Sequence, residues 1–230
     1  MRTGAPLGEV AVRFTNLHRR FGFGDPDRGR APDWARYAGR LDQLATIEDR
    51  TAWTVEFFAG APEEARPADQ HPFGCFACEA PSESGVVRIH FTNQDNDGLS
   101  PLHRSKIGVR RRELAAMFAF VDRSFAGASS VRGISWLYHL DAYRRLFPPE
   151  YAASPVPADR VRLCGSSSWG QFIRHDGSIK PALRDAFLGR LDSLDIAAPW
   201  RGFPLPAIVA RAPMAAFRNF YGLVGIRPEQ

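Results

Sequence analysis

The stretch from Val86 to Phe147 constrains the fold more than any other part of the chain, because two kinds of element alternate in it. An apolar run, VVRIHF at 86–91, predicts a strand and leads into a polar loop, TNQDNDGLSPLHRSKIG. The spacing of the apolar residues then predicts a helix over 109–124, a second strand over 131–138 and a short helix over 141–147. Strands that alternate with helices indicate an α/β or α+β protein.

Weaker patterns extend this prediction to the rest of the chain. Strands are predicted at 10–14, 51–58, 161–163 and 207–211, and a helix is a close alternative for 51–58. The segments 73–80 and 86–92 are predicted to form a hairpin. Helices are predicted at 33–44, 181–191 and 214–221. We therefore expect an α/β (α+β) sandwich, with a mixed, mostly antiparallel central sheet flanked by helices. We also expect a single globular domain over 1–230, with a mobile loop near 21–32.

Composition excludes several classes of protein. The chain has 230 residues, 44% of them apolar, which is enough for one substantial core. The net charge of +5 is mild, and no arginine-rich run is interleaved with aromatic residues, so nucleic acid is not expected as a partner. The first residues lack the apolar core of a signal peptide, and no apolar run could span a membrane. Three cysteines, an odd number, favour a reducing compartment, so we expect a cytoplasmic protein.

Three site motifs are incomplete. The loop at 93–98 matches the start of an EF-hand, but Arg104 stands where the bidentate glutamate is needed. Cys75 and Cys78 have the spacing of half a zinc site, but the second pair is missing, which favours structural thiols over a metal. GSSSWG at 165–170 is not a nucleophile elbow, which disfavours a hydrolase.

A dense group of cations at the start of the predicted helix is the clearest candidate site. The group consists of Arg104, Lys106, Arg110, Arg111 and Arg112, arranged around Gly108. Cations are unfavourable at the positive end of a helix dipole unless an anion lies there too. Two interpretations remain open: the cations are solvated or paired with Asp95, Asp97 and Glu113, or they hold a phosphate with the free backbone N–H groups.

Over residues 86–150, the order of segments resembles that of GNAT-type acyltransferases. The segments are, in order, VVRIHF, RSKIGVRRREL, VRGISWLY and HLDAYRRLF. In that family a strand leads into a glycine-bearing loop whose backbone binds the pyrophosphate of coenzyme A at the start of the next helix. Another strand follows, and then a short helix with an Asn, Ala and Tyr pattern.

The resemblance implies an acyl-CoA-dependent N-acyltransferase that needs no metal and acts on an unidentified amine or other small acyl acceptor. It implies Tyr143 as the general acid for the leaving thiolate, with Tyr138 second, and Glu79 or His90 as the general base. It also implies contacts to acyl-CoA from the basic helix start, namely Arg104, Lys106, Gly108, Val109, Arg110 and Arg111. A homodimer is compatible with this expectation, and a membrane partner is not expected.

Two other hypotheses stay open. The first is a non-enzymatic binding or regulatory protein that holds a phosphorylated or carboxylate ligand at the basic helix start. The second is a small metal-binding protein that uses Cys75 and Cys78. The acyltransferase hypothesis requires that the strands before and after the arginine-led helix part at its N-terminus, leaving a slot for a pantetheine arm.

Overall fold

The structure, a computed structural model, describes residues 5–24, 26, 29, 31–61, 70–158, 163, 165–195 and 197–223. The chain divides into two compact units, one made of 1–66 and 160–169 and the other of 67–159 and 170–230. The expectation of a single globular domain stays a prediction. Parts of the predicted loop at 21–32 and of the predicted strand at 161–163 lie outside the described residues.

The described residues form ten α-helices and six strands. The helices are α1 (Leu7–Phe14), α2 (Leu17–Arg20), α3 (Pro32–Gln43), α4 (Ile47–Ala59), α5 (Ile107–Ser124), α6 (Asp141–Arg144), α7 (Pro149–Ala152), α8 (Ser166–Trp169), α9 (Pro181–Leu188) and α10 (Met214–Tyr221). The strands are β1 (Gln70–Phe73), β2 (Phe76–Glu79), β3 (Val86–Phe91), β4 (Ser130–Ser135), β5 (Val156–Pro157) and β6 (Ile208–Pro213). No helix in the described ranges combines the length and the apolar content needed to cross a bilayer.

The first unit is helical, and two sequence predictions there are wrong. Residues 10–14, predicted as a strand, belong to α1, because a segment of five residues is too short for its period to separate a strand from a helix. Residues 51–58 belong to α4, where the Thr46 side chain accepts a hydrogen bond from the Asp49 N–H at 3.0 Å and so caps the helix. Aromatic rings of α3 and α4, with Phe21, form the small core of this unit.

The second unit contains one six-stranded sheet in the order β1-β2-β3-β4-β6-β5. Neighbouring strands are antiparallel except β3 and β4, which are parallel and joined through α5. The prediction of an α/β protein with a mixed sheet is therefore confirmed, as is the hairpin, now formed by β2 and β3. The second predicted strand ends at Ser135 and passes into a 3-10 turn, Trp136–His139, because the Ser135 side chain caps that turn.

The two faces of this sheet differ in character. Val87, Ile89 and Val131 are buried and pack in one core with residues of α5 and α10. The alternate positions of the same strands, such as Arg88 and Arg132, are exposed on the opposite face. The sheet therefore has a core face, covered by helices, and an open face that carries charge.

The parallel strands β3 and β4 part before they end. Their pairing joins Val86–Arg88 to Ser130–Arg132 and stops there. Each strand continues for three more residues, 89–91 in β3 and 133–135 in β4, and these pair only with the outer neighbours β2 and β6. The two strands are therefore unpaired with each other at their carboxyl ends, from which the chain leaves β3 toward α5, and this unpaired stretch is called the gap below.

Gly133 is the first residue of β4 beyond the last rung, and it has no room for a side chain. A Cβ there would overlap the Tyr138 hydroxyl oxygen and lie 2.6 Å from that of Tyr151. We expect Gly133→Ala to lower the free energy of unfolding by about 1–3 kcal/mol, as overpacking of a core does.

Gly108→Ala is the matched control. Gly108 is exposed, and the nearest atom to a Cβ there is Arg112 Nη1 at 3.6 Å. In a helix this change should be neutral or stabilise by up to about 1 kcal/mol. Urea denaturation followed by circular dichroism measures both variants, and equal stability of Gly133→Ala and the native chain would contradict the close approach of Tyr138.

Candidate functional site

An ion-pair cluster around two buried cations connects the start of α5 to the loop that follows β3. Lys106 Nζ lies 2.7 Å from Asp95 Oδ2 and 2.7 Å from Asp97 Oδ1. Arg110 donates to both Asp95 oxygens at 2.8 and 2.9 Å, and to Glu113 Oε2 at 2.8 Å. Lys106 and Arg110 are only 7% and 2% exposed. Two of the residues expected to contact acyl-CoA are thus bound to carboxylates, the pairing that the sequence left as one of two interpretations.

The pKa values of two carboxylates in this cluster, Asp95 and Glu113, are shifted in opposite directions. Burial alone would raise the pKa of Asp95, but hydrogen bonds from Lys106 and Arg110 outweigh it and leave that pKa below its ordinary value. Burial raises the pKa of Glu113 above its ordinary value, although Arg110 opposes the effect. Asp95 therefore keeps its negative charge to a lower pH than Glu113 does, as does Asp97, whose pKa the hydrogen bond from Lys106 lowers.

The helix start lies earlier than the sequence predicted. A 3-10 turn, Arg104–Lys106, runs directly into α5, and His103 caps it, with Nδ1 accepting from the Ser105 N–H at 3.3 Å. Gly108 and Val109 are the second and third residues of α5 and follow this turn directly.

The other arginines of this region remain exposed. Arg111 donates to the Arg145 carbonyl at 3.1 Å, and its guanidinium lies over the Phe220 ring. Arg112 folds back beside Gly108. The Arg104 side chain forms no hydrogen bond or ion pair with any residue that the structure describes. Positive charge that is free to meet an anion thus remains at the start of this helical segment.

The two tyrosines proposed as general acid lie together on the core face, beside the gap. Tyr138 and Tyr143 are each 2% exposed, with ring centroids 5.2 Å apart, and the Tyr138 hydroxyl lies 2.6 Å from that of Tyr151. The Tyr143 ring packs against Phe91 at the end of β3. Burial raises the pKa values of all three tyrosines well above the ordinary value, so they remain protonated hydrogen-bond donors.

The two residues proposed as general base also lie together, but on the open face. His90 Nε2 lies 2.6 Å from Glu79 Oε1, and Arg88 Nη1 lies 3.3 Å from Glu79 Oε2. The His90 side chain is 31% exposed, so solvent and small molecules can reach it. The two predicted acids therefore lie next to each other on the core face of the sheet, and the two predicted bases lie next to each other on the open face. Both sets lie near the point where the pairing of β3 with β4 ends.

Sequence reasoning missed two residues of this arrangement. Tyr151, in α7, completes the hydroxyl cluster, and Gly133 lets that cluster reach the backbone of β4. Neither carries a local motif that would have identified it. Their roles depend on the register of β4 and on how α7 packs, which connect residues far apart in the chain.

A cleft of about 220 Å³ lies elsewhere in the second unit, beyond the end of β4. Its lining is mostly apolar and includes Trp200 and Pro206, with His139 and Arg201 as polar groups. His139 Nε2 lies 2.8 Å from the Pro206 carbonyl oxygen, so one of its ring nitrogens is engaged. None of the residues predicted as site residues lines this cleft.

Cys75 and Cys78 are buried free thiols that pack within the fold. Cys75, in the turn before β2, accepts a hydrogen bond from the Gln94 N–H at 3.4 Å, and Cys78 faces the core of the sheet. Burial raises the pKa of Cys75 and raises that of Cys78 to about 11. Among the described residues, no three His, Cys, Asp or Glu side chains gather as metal ligands would, and Cys164 lies outside them.

These thiols should be inert in the folded protein. With a pKa of about 11, Cys78 is almost entirely protonated at about pH 8, and the thiolate is the form that reacts. We expect iodoacetamide to leave Cys75 and Cys78 unmodified in the native chain and to modify both in denaturant, as read by peptide mass spectrometry. Equal rates of modification in the two conditions would contradict this arrangement.

The geometry thus brings together a gap between parallel strands, three buried tyrosine hydroxyls on one side of it, a histidine–carboxylate pair on the other and exposed arginines at a nearby helix start. Comparison of the chain with protein-family models, with curated proteins and with solved structures found no match.

Proposed function

We propose that this protein is an acyl-CoA-dependent N-acyltransferase of the GNAT type. The observation that carries the proposal is the parting of β3 and β4 at their carboxyl ends. This is the arrangement that the resemblance requires, a slot between the strands on either side of the arginine-led helix.

The gap has the chemistry to receive a pantetheine arm. Within 89–91 and 133–135, successive residues direct their backbone N–H and C=O groups to opposite edges of the strand, so some bond to β2 or β6 and the others face the gap without pairing across it. Three residues of strand span about 10 Å, and an extended chain with amide groups can bond to such edges as an added strand does. Pantetheine carries two amides, which makes it a suitable occupant.

A thioester at the inner end of this slot would lie between the two pairs of catalytic residues. The amine attacks the thioester carbonyl carbon from the open face, His90 accepts a proton from the amine, and Glu79 holds the imidazole through its other ring nitrogen. When the C–S bond breaks, a tyrosine hydroxyl protonates the departing sulfur, and the proton that His90 took from the amine returns to the tyrosinate through solvent, which restores both groups. Tyr138 is the better placed donor, because Gly133 offers no side chain between its hydroxyl and the gap.

The phosphates of the coenzyme would contact different cations from those that the sequence suggested. Lys106 and Arg110 are bound to carboxylates, so the contact passes to Arg104, Arg111 and Arg112, which remain exposed. Guanidinium groups suit phosphate oxygens, since each can donate two parallel hydrogen bonds. Arg112 is the residue that this geometry adds to the expected set.

Titration of the protein with acetyl-CoA, together with an assay of free thiol release in the presence of amines, tests the proposal. We expect acetyl-CoA to bind, and binding to weaken about tenfold or more in Arg112→Glu. Arg123→Glu is the matched control, because Arg123 is an exposed arginine of the same helix, about 16 Å further along its axis.

No binding of any acyl-CoA would overturn the proposal. Binding of inorganic diphosphate at Arg112 without thioester turnover would instead favour the hypothesis of a non-enzymatic protein that holds a phosphorylated ligand.

A further inference from the structure

Three arginines stand side by side across the open face of the sheet. Arg88 is the register partner of Arg132, and Arg132 is the register partner of Arg211. All three are exposed. Neighbouring strands lie about 4.8 Å apart, so the row, on β3, β4 and β6, spans about 10 Å. Like charges directly opposite one another destabilise a sheet, which makes such a row costly unless it has an anionic partner.

The described residues neutralise little of this charge. Arg88 pairs with Glu79, whose other oxygen is engaged by His90. Arg211 Nη2 donates to a neutral hydroxyl, Ser130 Oγ, at 3.2 Å. The Arg132 side chain forms no hydrogen bond or ion pair with any residue described. Arg132, in the middle of the row, is therefore a cation whose guanidinium N–H groups bond to no described residue.

The row lies beside the proposed catalytic pair. Arg88 and Arg132 form the last rung before the gap, and His90 lies two residues further along β3 on the same face. Two residues of strand correspond to about 7 Å. A molecule whose amine reaches His90 on the open face thus brings its other end over the arginines.

We infer that the acyl acceptor is an amine that also carries a carboxylate or phosphate group, several bonds from the nitrogen, and that the row of Arg88, Arg132 and Arg211 binds this anionic group. The inference rests on the proposed function, since it assigns the substrate class of the same site. Carboxylate and phosphate share the chemistry that guanidinium groups recognise.

Matched acceptors test the inference in the thiol-release assay. 6-Aminohexanoate is compared with hexylamine, and 3-aminopropyl phosphate with 3-aminopropanol, so each pair differs in its anionic group. We expect kcat/KM to be about tenfold or more higher for the anionic member. Arg132→Gln should remove this preference by raising KM with kcat unchanged, and Arg123→Gln, at the far end of α5, should retain it. Which anionic compound is preferred distinguishes carboxylate from phosphate.

Equilibrium binding of the same compounds, measured without an acyl donor, distinguishes a failure of this inference from a failure of the proposed acyltransferase function. Equal use of charged and neutral amines overturns this inference while the acyltransferase stands. If nothing is acylated but the anionic compounds bind the native chain and not Arg132→Gln, the row is an anion site and the acyltransferase falls. If no compound is acylated and no anionic compound binds, both this inference and the proposed function are overturned. Circular dichroism of Arg132→Gln establishes that it is folded.

Discussion

Replacing Asp95 with alanine is expected to lower the free energy of unfolding by about 3 kcal/mol, since two buried cations lose the carboxylate they share and Glu113 and Asp97 compensate their charge only in part. Asp95 accepts two hydrogen bonds from Arg110, whose side chain is 3% exposed, and one from Lys106. We place the loss at the low end of the range for buried pairs because the Asp95 side chain is 19% exposed. Urea denaturation measures it.

Asp97→Ala is the matched control for this change. Asp97 also binds Lys106, but its side chain is 52% exposed and it does not contact Arg110. An exposed ion pair contributes little, because water screens it. A loss for Asp97→Ala as large as that for Asp95→Ala would contradict the central role of Arg110 and Asp95 in the cluster.

The contribution of Asp95 should also depend on pH in a defined direction. Its pKa in the folded chain lies below the unfolded value of about 3.9, so its stabilisation is present above about pH 4 and is lost as the pH falls through the folded pKa. The stability difference between the native chain and Asp95→Asn should therefore narrow below about pH 4. Burial of Glu113 acts in the opposite sense, which is why the two chains are compared at each pH. A constant difference would contradict the prediction.

Replacing His90 with alanine is expected to lower kcat/KM for acyl transfer by about 10²–10⁴-fold, the usual effect of losing a general base. The His90 side chain is half-buried, and among the described residues Glu79 is the one side chain that it bonds, so the fold should survive the change. Thiol release with acetyl-CoA and an acceptor amine measures the loss. Binding of acetyl-CoA should stay unchanged.

Two further variants make this result specific. Glu79→Gln keeps a group that can bond to the imidazole but removes the charge, so it should slow transfer less than His90→Ala does. His175→Ala changes an exposed histidine whose ring bonds the Gly98 carbonyl, and it should leave the rate unaltered. A His90→Ala enzyme of native activity would assign the proton transfer to another group.

Local patterns identified the elements of the second unit well. The apolar positions Leu114, Met117, Phe118 and Val121 recur at helical spacing, and α5 buries all of them. The hairpin follows from two strand-forming runs with a turn between them, in which Gly85 adopts a φ of 74°. The strands predicted in the first unit failed because apolar runs as short as that at 10–14 suit either element, and there the contacts with neighbouring helices decide.

The residues of the ion-pair cluster all lie within the short segment 95–113 of the sequence. The sequence did not decide whether its cations pair with its carboxylates or bind an anion. That choice depends on burial. Arg110 turns into the protein, where a cation needs a carboxylate partner, whereas Arg104 and Arg112 point to solvent and need none.

By itself, the sequence determined the order of the main elements of the second unit, the mixed class of the fold and the residues from which a site could be built, because helical and strand periods are local properties. The tertiary structure alone decided that β3 and β4 part at Gly133, that the tyrosines and the His90–Glu79 pair lie on opposite faces, and that Arg88, Arg132 and Arg211 form one row. Each of these depends on strand register, which is set by packing between residues far apart in the chain. A shift of one residue would move every side chain of a strand to the other face.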